Sequence, residues 1–393
     1  MHLHSDLPFS SLNFFIFLVG SVLAIFMCKQ FLNKSVAYKY ILAIISSFYI
    51  AILFPKPLQL VGLIVVSYFT VLALKKWYKS SNIILPMMLL AIPIFLMKSM
   101  NIVPMEGSSK VVRDIKNIVQ IAGLSYLVFK VIGLYIDERN SSKKIRFLDF
   151  FNFTAFVPTL LIGPIDRFSR FQGEVSNGYK GLNATNLKSG WNFFLKGVFY
   201  KFIVAECIRR LVLSNIVPDD SFIFHAAYAY TYIFYLFFDF AGYSLLAIAF
   251  ANFLGISIPI NFDKPFLATN PKEFWKKWHK SLGDWLGDYF FKPIFKDLSS
   301  RKVFTSITRQ NIALFLTFTL MGFWNGFELH YIVSGIVFGL YSVIHNYYIY
   351  KCKRTKKDVL FGKLGAKTVS ALSILLLFHA VVFSIYIFSG NLI

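Results

Sequence analysis

Phe274-Trp275-Lys276-Lys277-Trp278-His279-Lys280-Ser281-Leu282 sets an ionisable imidazole beside two indoles, in a chain whose flanks are long apolar runs. Burying such a ring at membrane depth is costly, so an ionisable residue there marks a candidate functional site. Trp275, His279, Leu282 and Leu286 recur at i, i+4, i+7 and i+11, which predicts one helix with these four on a common face. Lys276, Lys280, Asp284 and Asp288 would occupy an adjoining face. The plainer reading is an interfacial helix with an aromatic belt and a structural histidine. Both readings require a membrane.

The composition supplies one. Of 393 residues, 56% are hydrophobic and 19% aromatic. Charge-free stretches recur, several at the length that crosses a hydrocarbon core of roughly 30 Å and others short of it. They include Ser10 to Met27, Tyr40 to Phe54, Leu58 to Leu74, Asn82 to Met97, Ile118 to Phe129 and Leu211 to Val217 with its flanks. Ser221 to Phe238, Phe240 to Phe262, Asn311 to Phe327, Tyr331 to Tyr350 and Thr368 to Ile393 follow. The expectation is an all-α integral membrane protein with about ten or eleven spans. The first run is read as a retained helix, since no A-x-A-like cleavage site follows it.

A net charge of +22 could suggest nucleic acid, but its placement argues otherwise. Basic residues cluster in short loops: Lys75, Lys76, Lys79; Lys143, Lys144, Arg146; and Lys351 to Lys357. That is the positive-inside pattern of a multi-pass protein. It puts the last loop in the cytoplasm and the C-terminus outside. The basic rims also suit anionic lipid or an acidic cytoplasmic partner. Cys28, Cys207 and Cys352 have neither disulfide nor zinc spacing, and no metal site is expected.

No linker or repeat divides the chain, so residues 1–393 read as one membrane domain. Residues 1–117 would be scaffold helices, 118–350 a functional core, and 351–393 a basic loop and last helix. Phe150 to Phe171 is interrupted by Pro158, Gly163-Pro164 and Asp166-Arg167, and Asn261 to Gln310 mixes Trp, Lys and Asp. Both predict re-entrant or interfacial elements lining a cavity, where irregular backbone survives at membrane depth. Lys130, close to a helix end, is expected to snorkel and is given no role. Asp239, inside Phe237 to Ser244, must be neutral, paired or facing water. It is either satisfied at a helix contact or part of a polar cavity wall. Asn325 in Met321 to Gly326 fits a C-terminal helix stop, and Gly335 with Gly339 fits close helix packing.

Together these segments resemble the membrane-bound O-acyltransferase superfamily, and within it the DltB-type D-alanyl transferases of teichoic acid. The resemblance runs through Gly123 to Asp137, Phe156 to Arg167, Phe238 to Ser244, Pro259 to Leu267, Glu273 to Tyr289 and Met321 to Gly326. The alginate-type relatives usually carry a Gly-rich turn where Phe291 to Arg301 stands here. The resemblance implies a bacterial cell-membrane protein, a ring of tilted helices around a central tunnel. An acyl group on a cytoplasmic carrier protein, held by that carrier's phosphopantetheine arm, would enter from one side. A hydroxyl of a polyol-phosphate polymer would enter from the other. No bound cofactor is implied.

The same resemblance makes His279 and position 325 the catalytic pair, with Trp275, Trp278, Asp239 and Trp324 lining the site. Lys292, Lys296, Arg301 and Lys302, with Arg309, would dock an acidic helix of the carrier. The family motif normally reads Trp-His-Gly, and here the middle residue is Asn325. An amide cannot take a proton near neutral pH, but it can donate to an oxyanion. Gly287 and Leu245 also depart from the pattern. A natural variant with altered chemistry, an inactive relative and an engineered substitution all fit Asn325. The competing readings are therefore an acyltransferase with rerouted chemistry, an inactive scaffold that binds a carrier, polysaccharide O-acetylation, and a transporter. The absence of internal symmetry argues against the last.

Overall fold

A computed structural model describes residues 12–32, 35–80, 82–103, 109–217, 219, 221–356 and 364–392. The described elements are helices, joined by turns, with no strand among the described residues. Ser10 and Ser11 of the first apolar run, Lys357 of the basic loop and the terminal Ile393 lie outside the described residues.

In chain order the α-helices are α1 Leu12–Leu32, α2 Ser35–Leu53, α3 Pro57–Trp77, α4 Ile84–Ile102, α5 Lys110–Val119 and α6 Leu124–Glu138. Then come α7 Phe147–Thr154, α8 Phe168–Asn177, α9 Ala184–Val198, the single turn α10 Ala205–Cys207, and α11 Phe222–Phe253. The C-terminal set is α12 Pro271–Trp275, α13 Lys280–Leu286, α14 Lys292–Ser300, α15 Ser306–Asn325, α16 Leu329–Thr355 and α17 Ala366–Phe388. Wider π-type turns occupy Phe199–Val204, Ile208–Val212 and Gly287–Phe291.

Six of these helices, α1, α3, α4, α11, α16 and α17, are long and apolar enough to cross a membrane, and α2 is a shorter apolar helix. The remaining apolar runs are divided among shorter pieces. A turn at 120–123 splits Ile118 to Phe129, and the π-type turn Ile208–Val212 followed by a 3₁₀ turn, Leu213–Asn215, takes up 208–215. α15 reaches 20 residues but carries Thr308-Arg309-Gln310-Asn311 in its first turns, which lowers its apolar character. The chain is an all-α, multi-pass membrane protein.

The chain separates into two compact units, Met1–Val198 with Gly242–Ile260, and Phe199–Ala241 with Asn261–Ile393. These limits differ from the cuts expected at 117 and 350. In the first unit, α7 is followed by a short 3₁₀ turn, Val157–Thr159, and an irregular segment to Arg167. Phe153 and Phe156 both pack against Phe171 there, with ring centroids 5.5 and 5.1 Å from it, and all three are buried. Lys130 does not snorkel. It is fully buried in α6, and its Nζ donates to the carbonyls of Phe153 (3.0 Å) and Thr154 (3.4 Å). Those carbonyls end α7 and lack partners within the helix, so the ammonium satisfies acceptors that burial would otherwise leave costly. Asp166 is paired with Arg170, which also reaches the Ser257 carbonyl at 2.8 Å.

Candidate functional site

The second unit holds every candidate site residue, and the segment 261–291 sets their geometry. Asn270 caps α12 by accepting from the Glu273 amide at 2.9 Å, and Pro271 takes the first helical position, where no donor is needed. Glu273 then ties the entry together: its carboxylate accepts from the Thr269 amide and hydroxyl, each at 2.9 Å, and from Lys277 at 2.7 Å. The Lys277 ammonium is the main reason this carboxyl is held down at about 2.

α12 stops at Trp275, so the single amphipathic helix expected across this stretch does not form. The chain turns at 276–278, and His279 stands in the left-handed region at φ 44°, ψ 49°, before α13 begins. Trp275, His279, Leu282 and Leu286 therefore do not share one helical face, nor do Lys276, Lys280, Asp284 and Asp288. The turn is clamped by an extended neighbour. The Asp263 amide donates to Lys277 O (3.0 Å), the Lys280 amide to Asn261 O (2.9 Å), and the Ser281 hydroxyl to Asn261 Oδ1 (2.5 Å). A non-glycine residue at positive φ costs about 1–3 kcal/mol and persists where its surroundings over-determine it, as at active sites.

The kink aims the His279 ring into an aromatic enclosure. The side chain is 5% exposed, its centroid lies 4.8 Å edge-on from Phe240 and 6.4 Å from Trp324, and neither ring nitrogen has a hydrogen-bond partner among the described residues. Buried polar atoms without partners are rare, and each calls for an explanation. Burial also favours the neutral ring, which is the proton-accepting form.

The other residues divide around it. Trp278 is buried among Phe237, Phe262, Phe266 and Phe274, so it braces the turn. Trp275 packs on Phe318 of α15 and Phe338 of α16, with its indole N–H unpartnered among the described residues. Asn325 is the last residue of α15, as its helix-stop reading requires, and its Nδ2 donates to the Met321 carbonyl at 2.9 Å. Gly326 follows with extended backbone, and a Cβ there would collide with the Tyr331 ring. The structure thus brings His279 beside Trp324, the chain neighbour of Asn325.

Asp239 is 4% exposed and forms an ion pair with Lys201, which sits in the π-type turn 199–204. Lys201 escaped the sequence reading because its partner is 38 positions away and no periodicity links them. A second omission was legible. His225, Tyr228, Tyr232, Tyr235 and Asp239 follow one another at spacings of three and four along α11, a single stripe. Tyr228 and Tyr232 stack at 5.7 Å, Tyr232 and Tyr235 are 6.2 Å apart, and His225 hydrogen-bonds Tyr386 of α17.

Lys292, Lys296, Arg301 and Lys302 lie on and just after α14, and all four are exposed. Lys292 pairs with Asp288 at 2.6 Å and Arg301 with Asp297 at 2.9 Å, so the patch carries less net charge than its lysines and arginines suggest. No group of three or more His, Cys, Asp or Glu side chains able to hold a metal occurs among the described residues.

The sequence profile of the membrane-bound O-acyltransferase family matches residues 92–358, well over half of the chain. The chain belongs to the membrane-bound O-acyltransferase family. The match includes both His279 and Asn325. Among curated relatives, the teichoic acid D-alanyltransferase of Streptococcus thermophilus is 36% identical over 294 residues, covering 70% of each chain. That of Bacillus subtilis is 33% identical over 281 residues, again covering 70% of each. A peptidoglycan O-acetyltransferase of Helicobacter pylori is 32% identical over 214 residues, covering 53% of this chain and 39% of that protein. This member of the family is a multi-pass bacterial membrane protein, and of these three relatives the two D-alanyltransferases match it over the greater share of its length.

Proposed function

We propose that this chain is an O-acyltransferase that moves D-alanyl groups from a carrier-protein thioester to hydroxyls of a teichoic-acid-type polyol phosphate. The observation that carries the reading is the buried His279 imidazole, held on a strained turn with both nitrogens unpartnered among the described residues. In this reading His279 takes the proton of the acceptor hydroxyl as its oxygen attacks the thioester carbonyl. The side-chain amide of Asn325 donates to the oxyanion. The C–S bond then breaks, the thiolate of the carrier's phosphopantetheine arm leaves, and the imidazolium returns the proton to that sulfur. The stripe from His225 to Asp239 offers hydroxyls and ring faces suited to a polyhydroxylated acceptor. The exposed basic surface around Lys292, Lys296, Arg301 and Lys302 suits an acidic carrier.

A second reading is favoured by Asn325 itself. With an amide where the family motif normally has a base, the chain would bind the carrier without turnover. The deciding experiment compares the purified wild type, Asn325→His and His279→Ala with D-alanyl carrier thioester and a polyol-phosphate acceptor. The acyltransferase reading expects turnover by the wild type, a higher rate for Asn325→His, and a fall of roughly 10²–10⁴-fold for His279→Ala. Folded wild type and folded Asn325→His that both fail to transfer, while still binding the carrier, would establish the scaffold instead.

A further inference from the structure

We propose that the first unit carries a preorganised site for anionic phospholipid headgroups at the end of α3, formed by the segments 75–80 and 139–146. These segments are far apart in sequence, and reciprocal ties join them. Lys75 Nζ donates to Lys143 O at 2.8 Å, Arg139 Nη2 donates to Ser80 O at 3.0 Å, and Tyr68 Oη donates to Ile145 O at 3.0 Å. With Lys75 and Arg139 acting as struts, Lys76, Lys79, Lys143, Lys144 and Arg146 are left exposed on one surface. None of these seven cations is in an ion pair among the described residues. The nearby carboxylates in sequence are Asp137, Glu138 and Asp149, the last already paired with Lys39 at 2.8 Å, so the surface is strongly positive.

Three features select lipid over an acidic protein. α3 is a candidate span, only 17% of which is buried within the protein, so lipid headgroups reach its end without any docking event. Trp77 terminates α3 with 74% exposure, with the Lys76 ammonium 5.5 Å from its ring centroid, and Phe147 is exposed beside the loop. Exposed aromatic rings at a helix end belong to the membrane–water interface. The cross-ties also hold the cations together without a partner, which suits small, abundant ligands over a folded surface. The site shares no residue with the proposed acyl-transfer machinery.

The full chain should be reconstituted in nanodiscs of equal phosphatidylglycerol and phosphatidylcholine, and the annular lipids that co-purify with it counted by native mass spectrometry. Wild type is expected to enrich phosphatidylglycerol, and the combined variant Lys76→Gln, Lys79→Gln, Lys143→Gln, Lys144→Gln, Arg146→Gln to lose at least about ten-fold of that preference. A control variant, Lys351→Gln, Lys353→Gln, Arg354→Gln, should keep it. Equal enrichment in all three, or an equal loss in the control, would overturn the proposal. So would absence of lipid preference with an acidic protein bound at this face instead. If the five-site variant does not fold, the salt dependence of wild-type enrichment decides, since a bound headgroup site must weaken as salt rises and salt-insensitive enrichment would refute it.

Discussion

At the scale of the residue, His279 combines two demands that point to different substitutions. Its backbone is left-handed, a region that asparagine tolerates and β-branched residues do not. Its ring is the proposed base. His279→Asn should therefore leave thermal stability within about 1 kcal/mol while abolishing most transfer, whereas His279→Val should also cost about 1–3 kcal/mol of stability. Melting in detergent and single-turnover transfer, measured together, separate the two. The buried ring also sets a pH expectation. Burial lowers the affinity of the imidazole for a proton, so the neutral base persists further into acid. The acidic limb of kcat/KM should lie below the ordinary imidazole range of about 6.5; a limb at or above that value would assign the base elsewhere.

At the scale of the element, the α15–α16 hairpin fixes where Trp324 and Asn325 end up. Gly322 on α15 faces Gly335 on α16 so closely that a Cβ on Gly335 would stand 2.6 Å from the Phe318 carbonyl and 2.9 Å from Gly322 Cα. The small residues are there because the two backbones touch, as in other membrane helix pairs. Gly335→Leu should force the helices apart, costing about 1–3 kcal/mol, and shift Trp324 away from His279. Lowered melting temperature with altered tryptophan fluorescence would show it; unchanged melting would mean the hairpin can absorb the side chain elsewhere. Gly335, with Gly339, was readable as a close-packing pair, but Gly322, which Gly335 meets across the hairpin, was not. The break between α12 and α13 was not, because a period-3.6 pattern of Trp, His and Leu looks the same whether the helix continues or kinks. The amides of Lys276, Lys277 and Trp278 still bond back to Lys272 and Phe274, but beyond them the Asn261–Asp263 segment takes the Lys277 carbonyl, the Lys280 amide and the Ser281 hydroxyl, so the chain turns there.

At the scale of the whole molecule, charge is the feature with consequences beyond one element. The four basic residues expected to meet a carrier are all exposed, and two of them, Lys292 and Arg301, share their charge with Asp288 and Asp297. Exposed pairs of this kind are weak, so a stronger acidic partner can displace them. Reversing charge at both Arg301 and Lys302 should weaken carrier affinity at least about ten-fold, mainly through slower association. Unchanged affinity by surface-plasmon measurement would remove this surface from the assignment.

Composition, charge placement and motif text determined the class of the protein: membrane-embedded, all-helical, related to the acyltransferases. These are averages over many residues or literal strings, and neither depends on knowing what touches what. Asp239 was recognisable as a carboxylate needing compensation, and Lys130 as a cation in an apolar run. Only tertiary structure supplied Lys201 for the first and the Phe153 and Thr154 carbonyls for the second. The same holds for His279: its identity is in the sequence, but its enclosure by Phe240 and Trp324 is not. Partners chosen at membrane depth are distant in the chain and follow no period, so electrostatics and packing decide them only once the helices have met.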